Sequence, residues 1–240
     1  MQWAVLSDKG SREINEDSVG IINADTVKVF VIADGLGGHG KGDIASKLAV
    51  SSFENVFMNS TSDPAKSLSD AFNNAQASIL SEQKRTGCIF QMKTTVSALV
   101  VGSNTATWGH IGDSRVYAFS HNRVKLRTLD HSVPQMLVLA RDIKEKDIRN
   151  HPDRNKLLRV LGVSGDSPKY EISDIQDLRK YQAFLLCSDG FWELIFEKEM
   201  CSLLKKSRSV DEWLKAMQEI VEDRGKNTDM DNFSAIAIWV

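Results

Sequence analysis

Hydrophobic and polar positions change their spacing several times along this chain, and each change predicts an element. In the first third, "QWAVLSD", "DSVGIIN" and "VKVFVIAD" read as β-strands. Ala45, Leu48, Ala49, Phe53, Val56 and Phe57 then recur at intervals of three and four, the apolar stripe of an amphipathic helix. Leu68, Phe72, Ala75 and Ile79 predict a second helix directly after it, started by Asp63 and Pro64. The segments "TTVSALVVG", "TATWGHIGD", "SRVYAFS" and "RVKLRTL" follow as strands, with connections short enough for an antiparallel meander. From about 132 to 167 the pattern breaks into short, charged helical pieces edged by Pro134, Pro152 and Pro168, an excursion from the main fold. "YQAFLLCSDG" returns as a buried strand. Ser209 and Glu212 form a capping box for a helix with Trp213, Leu214, Met217, Ile220 and Val221 on its apolar face. "DNFSAIAIWV" closes the chain as a strand, and no internal repeat or low-complexity tract interrupts it.

Composition narrows the class without naming a function. At 240 residues, 42% hydrophobic and 26% charged, the chain has the make-up of an ordinary soluble globular protein with ample length for a core. A formal net charge of −2 gives no general attraction to nucleic acid or to an anionic membrane. No apolar run reaches the length of a membrane span, and "MQWAVLSDKG" lacks the basic start and apolar core of a signal peptide. Cys88, Cys187 and Cys201 are an odd set without C-x-x-C spacing, read as reduced and mostly buried. The expected location is the cytoplasm.

The stretch "VIADGLGGHGKG" (31–42) runs an apolar strand into an aspartate and a glycine cluster, and it fits two phosphate-binding patterns. Gly35 to Gly40 matches G-x-G-x-x-G; Gly35 to Lys41 matches all but the last position of G-x-x-x-x-G-K-[ST], where Gly42 stands. Both patterns work through backbone N–H groups and a helix N-terminus inside a βαβ unit. Here the helix is followed by another helix and then by antiparallel strands, so the crossover is missing. Asp34 would also place a full negative charge beside the pyrophosphate, a repulsion of roughly 4 kcal/mol at ~4 Å and an effective dielectric near 20. A divalent cation between the two would reverse the sign.

Asp34 has counterparts. Asp189 follows the apolar strand of "AFLLCSDG", Asp113 follows that of "WGHIGDSR", and Asp231 precedes that of "DNFSAIAIWV". Any one of these reads alone as an ordinary turn, and Gly112-Asp-Ser-Arg alone as a turn with a local ion pair. Antiparallel strands, however, can bring the end of one beside the start of the next, so the four acids can share one rim. Crowded together, they would raise one another's pKa values. Oxygen-only donors suit Mg²⁺ or Mn²⁺, and no Cys/His set competes for zinc.

Taken together, "GSREINEDS", "VIADGLGGHGKGDIAS", "KTTVSALVV", "WGHIGDSRVY", "LRTLDHS", "LLCSDGFWE" and "DNFSAIAIWV" resemble the motifs of the metal-dependent serine/threonine protein phosphatases of the PP2C family, in its compact bacterial form. The motifs stand in the family's order and span nearly the whole chain. The resemblance implies an α+β fold, a four-layer α/β/β/α sandwich with two central antiparallel sheets and helices outside both. Residues 1–240 would form one catalytic domain, with "ARDIKEKDIRNHPDRNKLLRVLG" in the family's flap segment at about 132–167.

For the site, the resemblance implies that Asp34 bridges two metal ions, with the Gly35 carbonyl, Asp189 and Asp231 as further ligands. Glu16 would hold the second ion through water, and Asp113 a third, weaker ion. Asp17 and Asn232 would support the ligands, Asn232 by hydrogen-bonding a metal-bound water. Arg12 would bind the substrate phosphate, and His39 is a candidate general acid. Lys93-Thr94-Thr95 departs from the family's more usual Gly-Thr-Thr. Trp192 and the remaining histidines are expected in packing or surface roles. The implied activity is hydrolysis of phosphoserine and phosphothreonine on proteins by a water activated at a dinuclear Mg²⁺ or Mn²⁺ centre, without a phosphoenzyme. The implied partners are phosphorylated proteins supplied by a serine/threonine kinase, met by a monomer. The alternative is a regulatory, phosphoprotein-binding pseudophosphatase on the same fold; it requires a lost ligand, and Asp34, Asp189 and Asp231 are all present.

Overall fold

A computed structural model of the chain describes residues 1–37, 41–60, 63–88, 91–165 and 167–240. Strands β1 (Gln2–Asp8), β2 (Asp17–Asn23) and β3 (Lys28–Leu36) precede helices α1 (Gly42–Asn59) and α2 (Pro64–Thr86). The short β4 (Lys93–Thr94) leads into β5 (Val96–Val101), β6 (Thr105–Ile111), β7 (Arg115–Ser120) and β8 (Arg123–Arg127). After α3 (Val133–Ala140) and a 3₁₀ turn at Glu145–Asn150 come the two-residue strands β9 (Glu171–Ile172) and β10 (Gln176–Asp177). The chain ends with β11 (Ala183–Cys187), α4 (Asp189–Trp192), α5 (Glu197–Lys206), α6 (Val210–Gly225) and β12 (Phe233–Trp239).

One sheet runs β1-β12-β11-β7-β8 and the other β10-β6-β5-β3-β2, with β4 added to β3 and β9 to β6. All of the strand pairings among the described residues are antiparallel. The expected four layers follow from how apolar residues divide between faces. Along β3, Phe30 and Ile32 turn inward to meet Val116, Phe184 and Ile236 of the facing sheet. Val29, Val31 and Ala33 turn outward against Phe53 of α1 and Phe72 of α2. On the far side, Tyr117, Leu185 and Ala237 pack against Met200 of α5 and Trp213 of α6. Each large apolar side chain so buried contributes roughly 1.5–3 kcal/mol, and the three clusters hold the sheets face to face.

Helix ends follow local chemistry. The Asp63 side chain accepts from the N–H groups of Ala65 and Lys66 at 3.0 and 3.1 Å, and Gly87 closes α2 at φ +69°. At α6 the Ser209 hydroxyl accepts from Glu212 N at 3.1 Å, but the Glu212 carboxylate accepts from Arg208 N rather than from Ser209, so only one arm of the expected box forms. Helix α5 has no counterpart in the sequence reading, because Met200 and Leu204 are its only fully buried residues and leave a thin apolar stripe. Among the described residues no helix is long and apolar enough to cross a membrane.

The described residues from 132 to 165 are tied to the rest of the fold at several points. Ser132 bridges Leu157, Leu161 bridges Thr94, and Ile148 and Leu161 are buried in two different apolar clusters. Buried amides on α2 clamp its end: Gln76 accepts from Gly162 N at 2.7 Å and donates to Val163 O at 2.6 Å, while Gln83 donates to Gly162 O at 2.8 Å.

Candidate metal centre

Antiparallel pairing brings the acids to one rim. Asp17 opens β2 directly opposite Asp34 near the end of β3. β11 ends beside the start of β12, which places Asp189, the first residue of α4, near Asp231, two residues before β12. Asp113 sits in the turn between β6 and β7, where Gly112 has φ +101°; a Cβ at Gly112 would also strike the Thr95 side chain. A cavity of about 610 Å³ opens over this rim. Arg12, Glu16, Asp34, Gly35, Asp113, Asp189, Asp231 and Asn232 all line it. Asp17 lies just beneath, and His39 falls outside the described residues.

Electrostatically the floor is unfinished. Burial, then the charges of Asp189, Asp17 and Asp113, push the Asp34 carboxyl well above the usual carboxylate range. Asp113 is pushed up by burial and by Asp189, and Asp189 by burial and by Asp231. Asp17 rises to about 7, chiefly from burial, although the Ser188 hydroxyl donates to its Oδ2 at 2.8 Å. The Oδ1 atoms of Asp17 and Asp113 are buried without a hydrogen-bond partner. Orphaned anionic oxygens of this kind cost free energy unless a cation meets them. An all-oxygen, multiply acidic donor set therefore fits divalent Mg²⁺ or Mn²⁺.

The surrounding residues hold the floor in shape. Arg12 forms a fork on Asp231, Nε to Oδ1 at 3.1 Å and Nη2 to Oδ2 at 3.3 Å, with Asp229 at 3.6 Å. Glu16 accepts from Gly42 N at 3.3 Å, and burial raises its carboxyl. Gly35 is packed so closely against Gly42 and the Glu16 carbonyl that a Cβ would collide with backbone, and that contact keeps α1 tight against the strand end. Asn232 is engaged by backbone on both sides of its amide. Its Oδ1 accepts from Glu16 N at 2.8 Å and its Nδ2 donates to the carbonyls of Lys9 and Ile14 at 2.9 and 3.0 Å. Both donor hydrogens are thus engaged by backbone, and the amide clamps the loop that carries Arg12 and Glu16.

Several residues that touch the site were given no part in it by the sequence. Thr95 accepts from Asp34 N at 3.2 Å through its hydroxyl, which also meets Ser114 Oγ at 2.7 Å. Thr94 Oγ1 donates to Asp34 O at 2.9 Å. The paired threonines were the available sign, since hydroxyls at a strand end serve backbone groups that the ladder leaves open. Trp192, expected to pack, also donates from Nε1 to Asp113 O at 3.0 Å. Arg115 does not pair with its neighbour Asp113; it forks onto Asp130 at 2.8 and 2.6 Å.

Another donor set, His110, His131 and Glu171, has ligand atoms within 4.8 Å of one another. Its hydrogen bonds argue against a metal. Gly112 N donates to His131 Nδ1 at 3.2 Å, which leaves the ring proton on Nε2 facing Glu171 Oε1 at 3.2 Å. The Arg159 guanidinium already supplies a cation 3.1 Å from that carboxylate. Burial, then His110, lowers His131 to about 4, so the ring is a neutral prop under the Asp113 turn.

Residues 7–233 match the family model described as Protein phosphatase 2C. The chain is 32% identical over 229 residues to serine/threonine phosphatase stp of Listeria welshimeri, across 86% of this chain and 84% of the relative. Its fold matches the crystal structure of serine/threonine phosphatase Stp1 from Staphylococcus aureus at a TM-score of 0.89 and 24% identity, covering 100% of this chain and 94% of that one. It also matches the catalytic domain of serine threonine protein phosphatase PstP in complex with 2 manganese ions at a TM-score of 0.81 and 24% identity, covering 98% and 96%.

Proposed function

The chain belongs to the protein phosphatase 2C family, and we propose that it hydrolyses phosphate esters of serine and threonine side chains in proteins phosphorylated by a serine/threonine kinase. The observation that carries this reading is the floor of buried Asp113 and half-buried Asp34 and Asp189, acids crowded together in one cavity with Arg12 on its wall. Asp34, the Gly35 carbonyl, Asp189 and Asp231 would be the direct ligands of two ions, Glu16 would hold the second of them through water, and Asp113 would hold a third, weaker ion. Two divalent cations bound there would acidify a water molecule and neutralise charge on the phosphoryl oxygens.

The chain's own residues do the rest. Arg12 presents a planar fork suited to two phosphate oxygens, and Asp231 holds that fork at the cavity wall until a phosphate competes for it. Asn232 fixes the loop between Lys9 and Glu16, so the guanidinium is carried on an ordered backbone. Thr94 and Thr95 hold the Asp34 peptide from both sides. Asp189→Asn tests the reading: Mn²⁺-dependent hydrolysis of an aryl phosphate should vanish while the circular dichroism spectrum is retained. Undiminished turnover in that variant, or in excess chelator, overturns it.

A further inference from the structure

A second cavity, about 390 Å³, opens beside the first, and Leu157 lines both. Its walls combine apolar side chains, Ile111 and Val163 among them, with the cationic side chains of Lys93, Arg159 and Lys169. Lys93 is the position at which Lys93-Thr94-Thr95 departs from Gly-Thr-Thr. It pairs in register with Leu36, one step from the Gly35–Thr94 pair and two from Asp34 along β3. Its ammonium therefore springs from backbone tied to the strand end that carries the acidic floor. Arg159 is held by Glu171 at 3.1 Å, whereas Lys93 has no ion-pair partner among the described residues. None of the described lining residues is acidic; Asp166, in the same loop, lies outside the described residues.

We infer that this second cavity receives the stretch of substrate next to the phosphorylated residue, and that Lys93 selects an acidic side chain there. The inference rests on the phosphatase reading above. A phosphorylated side chain in the first cavity is attached to a polypeptide that must leave over its wall, and leaving across Leu157 brings the neighbouring residues into the second. There the apolar walls lower the local dielectric, so a carboxylate meeting Lys93 gains more than it would on an open surface. Leu158 and Val163, 54% and 48% exposed, offer the passing chain an apolar edge.

The test uses three phosphoserine peptides identical except for Asp, Ala or Lys on both sides of the phosphorylated residue, together with their non-hydrolysable phosphonate analogues. Phosphate release with Mn²⁺ reports turnover, and fluorescence anisotropy of the labelled analogues reports binding. The Asp-flanked peptide should be favoured over the Ala-flanked one by about fivefold in both measurements at low salt, the scale of a single partly exposed ion pair. That ratio should shrink as salt is added. Lys93→Ala should bring the ratio close to one, and Lys93→Glu should turn the preference toward the Lys-flanked peptide. Lys93→Gln replaces either variant that fails to fold. A wild-type ratio near one, or an unchanged ratio in the variants, overturns the role of Lys93. Absence of phosphate release from all three peptides would instead overturn the phosphatase reading, and the analogue binding ratios would still decide the cavity.

Discussion

Arg115 and Asp130, at 2% and 1% side-chain exposure, and the half-buried Asp34 and Asp189 form two sets of charges built in opposite ways. Behind the cleft, Arg115 forks onto Asp130, donates to Tyr117 Oη at 2.9 Å and stacks 3.4 Å over the Trp192 ring. Arg127 adds contacts to Asp130 at 3.3 Å and Glu145 at 2.6 Å, and Arg149 reaches Glu197 at 2.9 Å. Each carboxylate of that network faces a guanidinium. Across the backbone of Asp113, the cleft carboxylates mostly face one another. A buried ionic group compensated by its own chain holds the fold together; one left uncompensated destabilises the fold until something binds. The contrast separates scaffold from site more sharply than burial or charge alone.

The largest test of this contrast is Asp34→Asn. Aryl phosphate turnover with Mn²⁺ should fall by at least about a thousandfold. In chelator, by contrast, urea denaturation should show a variant as stable as the parent or more so, because one of several crowded like charges has been removed. Adding Mn²⁺ should then stabilise the parent far more than the variant. If Asp34→Asn weakens the metal-free fold, the cleft acids are structural and the contrast fails.

Asp130→Asn should do the reverse, removing about 3–5 kcal/mol of folding stability by leaving Arg115 buried against a neutral partner. Chemical denaturation with and without Mn²⁺ should give similar losses. A loss confined to one condition would mean that the network and the cleft are not separable.

A smaller effect concerns pH. Asp17 titrates near 7 in the folded protein because of burial, against about 3.9 unfolded. Between those values the folded state keeps a proton that the unfolded state has released, so this group destabilises the metal-free fold increasingly as pH rises, fully above about 7. His131, lowered to about 4, has the opposite slope between about 4 and 6.5. Comparing Asp17→Asn with the parent in chelator cancels the histidine. The variant's relative stability should climb by about 1–3 kcal/mol from acid to neutral pH. A flat difference would show that Asp17 is ionised at little cost.

The smallest effect expected is that of Trp192→Phe, which keeps a ring over Arg115 but loses the hydrogen bond to Asp113 O. About 1–2 kcal/mol of stability should be lost. No change in the denaturation midpoint would dissociate Trp192 from the Asp113 turn.

Much of this was legible in one dimension, for reasons that differ by element. β3, α1 and α2 announce themselves because each buries a regular set of apolar residues. α5 does not, because its few core contacts are diluted by Lys and Glu. Asp34 and Asp189 stand out because an acid ending an apolar strand is conspicuous. Thr94, Thr95 and Ser188 do not, since a hydroxyl acquires its role only from the backbone group opposite it.

The linear order of residues determined which strands are sandwiched between layers, where helices begin, and that several acids stand at strand ends, because periodicity and capping act over a few neighbours. Only the folded arrangement decided which charges would be answered. Arg115 passes over adjacent Asp113 for Asp130, and Asn232 spends its donors on a loop more than two hundred positions earlier. Hydrogen bonds and ion pairs depend on separations of a few ångströms between groups distant along the chain, and those separations come into being when the two sheets close on each other.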